Sequence, residues 1–90
     1  MNDFKPGDKV HWESQSQGTW KLKYGFFIMI IEPGEDATAF LPPDLPKSRF
    51  KGERISKIRR ALVEVVTGKY RPCNYYAPRL SALQPGWPNF

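Results

Sequence analysis

Short apolar runs separated by turn residues predict strands in the first third of the chain. Residues 10–13 alternate apolar and polar positions, as a half-buried strand does. Residues 19–24 alternate again, the intervening polar residues 14–18 are expected to form a loop, and Gly25 is expected to end the second strand. Residues 26–31 form a continuous apolar run, which is typical of a central strand covered on both faces.

The second half of the chain carries further strand patterns. Residues 62–66 are rich in β-branched side chains, and a turn at 67–69 leads to a second candidate strand at 70–76. Pro72 indicates an edge or a bulge there, and residues 80–83 are expected to form a short closing strand. Residues 53–62 carry apolar residues at helical spacing, which allows one short helical turn.

Residues 33–57 have no clean period and contain four prolines, so they predict one long loop. Loops longer than about 12–15 residues are usually functional or disordered. Nine prolines and seven glycines in 90 residues disfavour a helical bundle. The patterns together predict a single, mainly β domain of about five short strands, built as a small antiparallel barrel or a curled sheet. Closing the sheet into a barrel would remove exposed edges.

Charge is concentrated in one segment of the chain. The protein carries a net charge of +5 and a sequence pI near 9.6, and residues 47–60 alone contribute +6. Such a block is typical of an element that docks on phosphates or on an acidic protein surface. A solvated loop without any partner is about equally expected for a charge run.

The candidate binding residues combine this segment with aromatic side chains, which anchor protein interfaces or stack on nucleic-acid bases. Aromatic residues make up 14% of the chain, more than one small core needs. The predicted partner-binding residues are Lys47, Arg49, Phe50, Lys51, Arg54, Lys57, Arg59, Arg60, Trp20 and Tyr75.

Catalytic and metal chemistry find little support. A single cysteine, Cys73, and a single histidine, His11, exclude an internal disulfide, a multi-cysteine zinc site and a histidine pair. No motif supports these two residues as nucleophile and base, so we expect a non-enzymatic protein without metal or cofactor. The longest apolar run is too short to span a membrane, and the N-terminus lacks a signal-peptide pattern, so a reduced, cytoplasmic setting is expected.

Both ends of the chain resemble a known fold. The stretch 4–12, the later Lys23-Tyr24-Gly25 and the ending 75–83 resemble Src-homology-3-like barrels of the KOW and Tudor type. Pro-Gly-Asp-x-Val-x-Trp, Ser-Gln-Ser-Gln-Gly and Pro-Arg-x-Ser-Ala-Leu, in that order, are similar to a group of small phage and prophage proteins. The resemblance implies the barrel fold, a viral origin and the host cytoplasm, with binding loops at 14–23 and in the basic segment.

Two functions remain open at this point. In the first, the chain binds a host protein that has an acidic or nucleic-acid-binding face, and it blocks a host defence as anti-CRISPR proteins do. In the second, the chain is a small nucleic-acid-binding barrel whose arginines and lysines contact phosphates while Tyr75 or Trp20 stacks on bases. The sequence does not predict an oligomeric state.

Overall fold

The alternating runs at the start of the chain form two long paired strands in the computed structural model, which describes residues 4–16, 18–66 and 73–87. Strand β1 (Lys9–Ser16) is antiparallel to β2 (Thr19–Ile31), in a register that runs from Lys9 opposite Phe26 to Ser16 opposite Thr19. The predicted loop at 14–18 is therefore wrong over residues 14–16, because the polar residues there pair with β2.

The sequence predicted that Gly25 ends a strand. This prediction is wrong, because Gly25 lies inside the 13-residue β2. A side chain at this position would overlap the carbonyl oxygen of Glu64 and would lie 3.0 Å from Val63 Cγ1 and from Val65 Cγ2. Glycine is required here by the close approach of a neighbouring strand, and the local sequence carries no sign of that approach.

Four further strands complete one sheet: β3 (Phe50–Lys51), β4 (Arg60–Val65), β5 (Asn74–Tyr76) and β6 (Gln84–Pro85). The strand order is β3-β5-β4-β2-β1-β6, and every neighbouring pair is antiparallel except β3 and β5. The mainly β class is confirmed. Among the described residues the sheet has six strands instead of the predicted five, and it does not close, because β3 and β6 form its two ends.

The core lies on both faces of the sheet. One buried cluster contains Val10, Trp12, Phe27, Ala61, Val63 and Leu83, and a second contains Ile31, Ala37, Leu62 and Tyr75. Successive residues of β4 enter alternate clusters, as the pleat of a strand requires. A register shift in β2 between Phe27 and Met29 lets that strand also serve both clusters, in agreement with the expected coverage of residues 26–31.

The predicted loop at 33–57 covers the second cluster. It is irregular apart from two 3₁₀ turns, Ala37–Phe40 and Lys47–Arg49, and the short β3. Its apolar side chains explain why it packs down: Ala37 is fully buried, and Phe40, Leu41, Leu45 and Phe50 pack against the second cluster. None of the helical turns in the described residues is long and apolar enough to cross a membrane.

Three local predictions need correction or lie outside the described residues. The helical turn expected over 53–62 is wrong, because 53–59 is irregular and Arg60 already begins β4. The closing strand expected at 80–83 is wrong, because Leu80–Ala82 forms a 3₁₀ turn and pairing resumes only at Gln84. The turn expected at 67–69 and Pro72 lie outside the described residues, and β5 begins at Asn74.

We expect Gly25→Ala to lower the free energy of unfolding by about 3 kcal/mol, because the new methyl group has to displace backbone. Gly52→Ala is the matched control, since a methyl group there meets its nearest neighbour, Phe50, at an ordinary 3.5 Å. Urea denaturation of both variants tests the expectation. Equal stabilities of the two variants would contradict it.

Candidate binding site

Two arginines of the basic segment, residues 47–60, form ion pairs with acidic residues of the same chain that follow β2. Arg54 lies 2.6 Å from the carboxylate of Asp36, and Arg59 lies 2.9 Å from that of Glu32. Asp36 also accepts hydrogen bonds from the backbone N–H and hydroxyl of Thr38, at 2.9 and 2.6 Å. The Arg54 guanidinium and then these bonds hold the pKa of Asp36 well below its usual range, and Asp36 in turn raises the pKa of Arg54.

Two of the predicted binding residues are buried, and a third is half-buried against the core. Arg60 is only 4% exposed, and its guanidinium donates hydrogen bonds to the backbone carbonyls of Glu53 and Arg54. Phe50 packs against the second core cluster, and Tyr75 belongs to that cluster. These three residues belong to β3, β4 and β5, where residues 33–57 meet the sheet, and this position explains why their side chains are covered.

The other five predicted residues remain at the surface. Lys47, Lys51 and Lys57 are exposed, and Arg49 is half-buried with a long 3.4 Å hydrogen bond to the Asn74 side chain. Trp20 is 64% exposed. Within the part of the chain that the structure describes, none of the four cations lies within ion-pair distance of a carboxylate. The segment therefore keeps an unneutralised positive charge at its 3₁₀ turn and β3.

Lys51 lines a cavity together with a second lysine, Lys23, which comes from a distant part of the sequence. Its strand β3 pairs with β5 so that Lys51 is opposite Tyr76, and Tyr76 contacts Trp12 with ring centroids 5.8 Å apart. Lys23 of β2 places its ammonium 4.9 Å from the centre of the Tyr76 ring. The resulting cavity of about 290 Å³, which we call the basic groove, is lined by Trp12, Ser14, Lys23, Lys51, Tyr76, Ala77 and Pro78.

The opposite side of β2 carries an aromatic face, formed by Trp20, Leu22 and Tyr24 in alternate positions. These side chains are 64%, 43% and 39% exposed. Trp87 extends the aromatic face, because its ring lies 5.4 Å from that of Tyr24 and its indole N–H donates to the Gly25 carbonyl at 2.9 Å. Trp20 and Leu22 also line a cavity of about 400 Å³ beside β1. The hairpin β1–β2 therefore presents lysines on one side and aromatic residues on the other.

The residues considered for catalysis do not share a contact. The Nδ1 atom of His11 lies 2.8 Å from the Gly86 carbonyl oxygen at the β6 end of the sheet. Cys73 precedes β5, and burial, followed by the negative charge and hydrogen bond of Glu64, raises the pKa of its thiol. No group of three or more histidine, cysteine, aspartate or glutamate side chains among the described residues could hold a metal ion.

Sequence reasoning missed Tyr76 as a candidate, and it included Lys23 only as the last residue of the loop 14–23 that the resemblance implied for binding. The alternating pattern of residues 19–24 places Lys21 and Lys23 on the same polar side of a strand, so it could have indicated Lys23 as a surface cation. The approach of Lys51 to Lys23 had no such signal, because it depends on the pairing of β3 with β5. No protein-family model, curated protein or solved structure matches this chain, so the candidate site rests on its own geometry.

Tyr75 has a structural hydrogen bond where the sequence predicted a stacking surface. Its hydroxyl donates to Glu64 Oε2 at 2.8 Å, and the ring is 8% exposed. Burial first, and then the hydrogen bond and charge of Glu64, raise the pKa of Tyr75 to about 12. The folded protein thus holds the phenolic proton more tightly than the unfolded chain does.

We expect the contribution of this proton to folding to be complete below pH 10 and to disappear as the pH rises to about 12. The loss amounts to about 2–3 kcal/mol. Unfolding free energies of the wild type and Tyr75→Phe, measured by urea titration across this range, test the expectation. The wild type should lose more stability than the variant, and parallel pH profiles would contradict the assignment.

Proposed function

We propose that this protein is a non-enzymatic binding domain that docks an acidic face of another protein in the basic groove. The carrying observation is the convergence of Lys23 and Lys51, from strands distant in sequence, on one cavity of about 290 Å³. No carboxylate lines that cavity among the described residues. Two lysines that line one cavity without a carboxylate among its described lining residues favour an anionic occupant.

Surrounding charge supports the same polarity. Lys47 and Arg49 precede Lys51 in the 3₁₀ turn that leads into β3, and neither has a carboxylate within ion-pair distance in the described structure. A protein surface rich in aspartate and glutamate would be steered towards this end of the sheet and held by several exposed pairs. Each exposed pair contributes only about 0.2–1 kcal/mol, so affinity depends on several of them acting together.

The aromatic residues favour a protein over a single nucleic-acid strand as the partner. Single-strand sites place free aromatic faces along a positively charged channel. Here the Tyr76 ring is already covered by the Lys23 ammonium, Trp12 is only 4% exposed, and Trp20 lies on the opposite side of the hairpin. The second candidate function is therefore binding to duplex nucleic acid, which needs cations on phosphates and no stacking surface.

The proposal extends to the fold family and the biological setting. The Src-homology-3-like family is inferred from the motifs at both ends of the chain alone, and the basic groove is lined by residues of the two segments that such barrels use for binding. The phage-like motifs favour a viral protein in the host cytoplasm. A host defence protein with an acidic or nucleic-acid-binding face is the partner class we propose, and the chain would block it as anti-CRISPR proteins do.

The test compares two doubly substituted proteins of equal net charge. Lys23→Gln with Lys51→Gln removes the groove cations, and Lys5→Gln with Lys57→Gln is the control, since neither residue lines the groove. Fluorescence anisotropy measures binding to a labelled polyglutamate peptide and to a labelled DNA duplex at several salt concentrations. We expect the groove variant to bind the acidic peptide at least tenfold more weakly, and the control to change less than twofold.

The other outcomes are equally informative. Tighter binding to the duplex, with affinity that falls steeply with salt and depends on Lys23 and Lys51, would favour the second candidate function. Equal binding by the groove variant and the control, with both probes, would overturn the groove as the docking site.

A further inference from the structure

Two arginines, Arg60 and Arg79, are paired across neighbouring backbone segments at the start of β4. Arg60 and Arg79 form an isolated antiparallel bridge, with the Ala61 N–H donating to the Pro78 carbonyl at 2.9 Å and the Leu80 N–H to the Arg59 carbonyl at 3.1 Å. Like charges that are directly opposite each other on paired strands repel and destabilise the pair. An arrangement of this kind calls for a negative charge between them.

Arg60 has an incompletely satisfied charge. It is 4% exposed, and two of its terminal N–H groups donate to the Glu53 and Arg54 carbonyls. Its Nε atom is buried and has no hydrogen-bond partner in the described structure. No carboxylate of the described residues lies within ion-pair distance of the guanidinium. Buried cations are normally paired with an anion, because removing an unpaired charge from water is strongly unfavourable.

A cavity of about 240 Å³ lies at this position. It is lined by Glu53, Ser56, Ile58, Arg60, Ala77 and Arg79. One water molecule occupies about 30 Å³ in the liquid, so the cavity has room for the several oxygens of an oxyanion. The Ser56 hydroxyl accepts the Ile58 N–H at 3.2 Å, which leaves its own proton available to a ligand.

We propose that this arginine pocket binds the phosphoryl group of a small ligand, a function separate from docking in the basic groove. The guanidinium of Arg60 supplies a fixed positive charge at the pocket wall, Arg79 donates through its guanidinium fork, and Ser56 adds a hydroxyl donor. Guanidinium groups are suited to tetrahedral oxyanions because their donors are planar and permanently charged. A phosphate dianion balances the two arginines, whereas a single carboxylate balances only one of them.

Glu53 is the one acidic residue among the described residues that line the pocket. Its carboxylate is therefore the alternative to phosphate as the anion that neutralises the arginines. If the Glu53 carboxylate turned inward in solution, it would itself neutralise the arginines and exclude phosphate. If it stays outward, it weakens phosphate binding by repulsion. Glu53→Gln therefore distinguishes the two, since only a competing carboxylate would make the pocket bind phosphate solely in this variant.

The direct test follows the Nε–H signal of Arg60 by nitrogen-15 NMR of the full chain. Inorganic phosphate is titrated at pH 8 and constant ionic strength, with chloride and acetate as comparison anions. We expect a saturable shift of the Arg60 signal with phosphate, a weaker effect with acetate and none with chloride. Arg79→Gln should weaken phosphate binding at least tenfold, whereas Lys21→Gln, with the same change in charge at an exposed residue that lines neither cavity, should leave it unchanged.

The readout does not depend on replacing Arg60, whose loss from the interior would endanger the fold. No saturable shift in either the wild type or Glu53→Gln would overturn the proposal, as would equal responses to phosphate and chloride. Binding confined to Glu53→Gln would also overturn it, in favour of an internal ion pair. Since Lys23 and Lys51 do not line this pocket, failure here and failure of the basic groove are separate results.

Discussion

The crossing of β2 from one partner strand to the other is the constraint on which the rest of the structure depends. The first part of β2 pairs with β1, the second part pairs with β4, and Phe26 is paired to both. Just before that residue, Gly25 permits the backbone of β4 to approach more closely than any side chain would allow. The register shift that follows lies between Phe27, which belongs to the first core cluster, and Met29, which packs against the second. The second part of β2 contributes Ile31 to the second core cluster, which residues 33–57 cover.

The seven cations of the basic segment have divided roles that the fold assigns to them. Arg54 and Arg59 bind acidic residues of the preceding loop, Arg60 enters the interior, and the rest stay at the surface. The surface cations alone are available to steer a partner, and the polarity of the basic groove comes as much from Lys23 as from them. A single charge block in the sequence therefore becomes three different electrostatic environments.

Much of the strand content could be predicted from the sequence, because alternation and apolar runs are local signals. Residues 10–13 and 62–65 lie in strands of the sheet, and the two strands predicted at 19–24 and 26–31 are parts of the single strand β2. The errors concern tertiary contacts. Gly25 resembles a strand end until the approach of Glu64 is known, and residues 80–83 form a 3₁₀ turn in which Leu80 and Leu83 both pack in the first core cluster. Likewise, nothing local separates Arg60, which is buried, from Arg59, which is exposed beside it.

The parallel pairing of β3 with β5 has a consequence for the order in which the protein folds. The β1–β2 hairpin is local, whereas β3 pairs only with β5, which in turn pairs with β4. Because β3 joins the sheet only through β5, and β5 only through β4, we expect β3 to dock after both of these strands. Lys23 belongs to the early hairpin and Lys51 to the late strand, so the groove between them exists only once folding is complete. A ligand that bridges both lysines would therefore bind the native state alone and would stabilise it against unfolding.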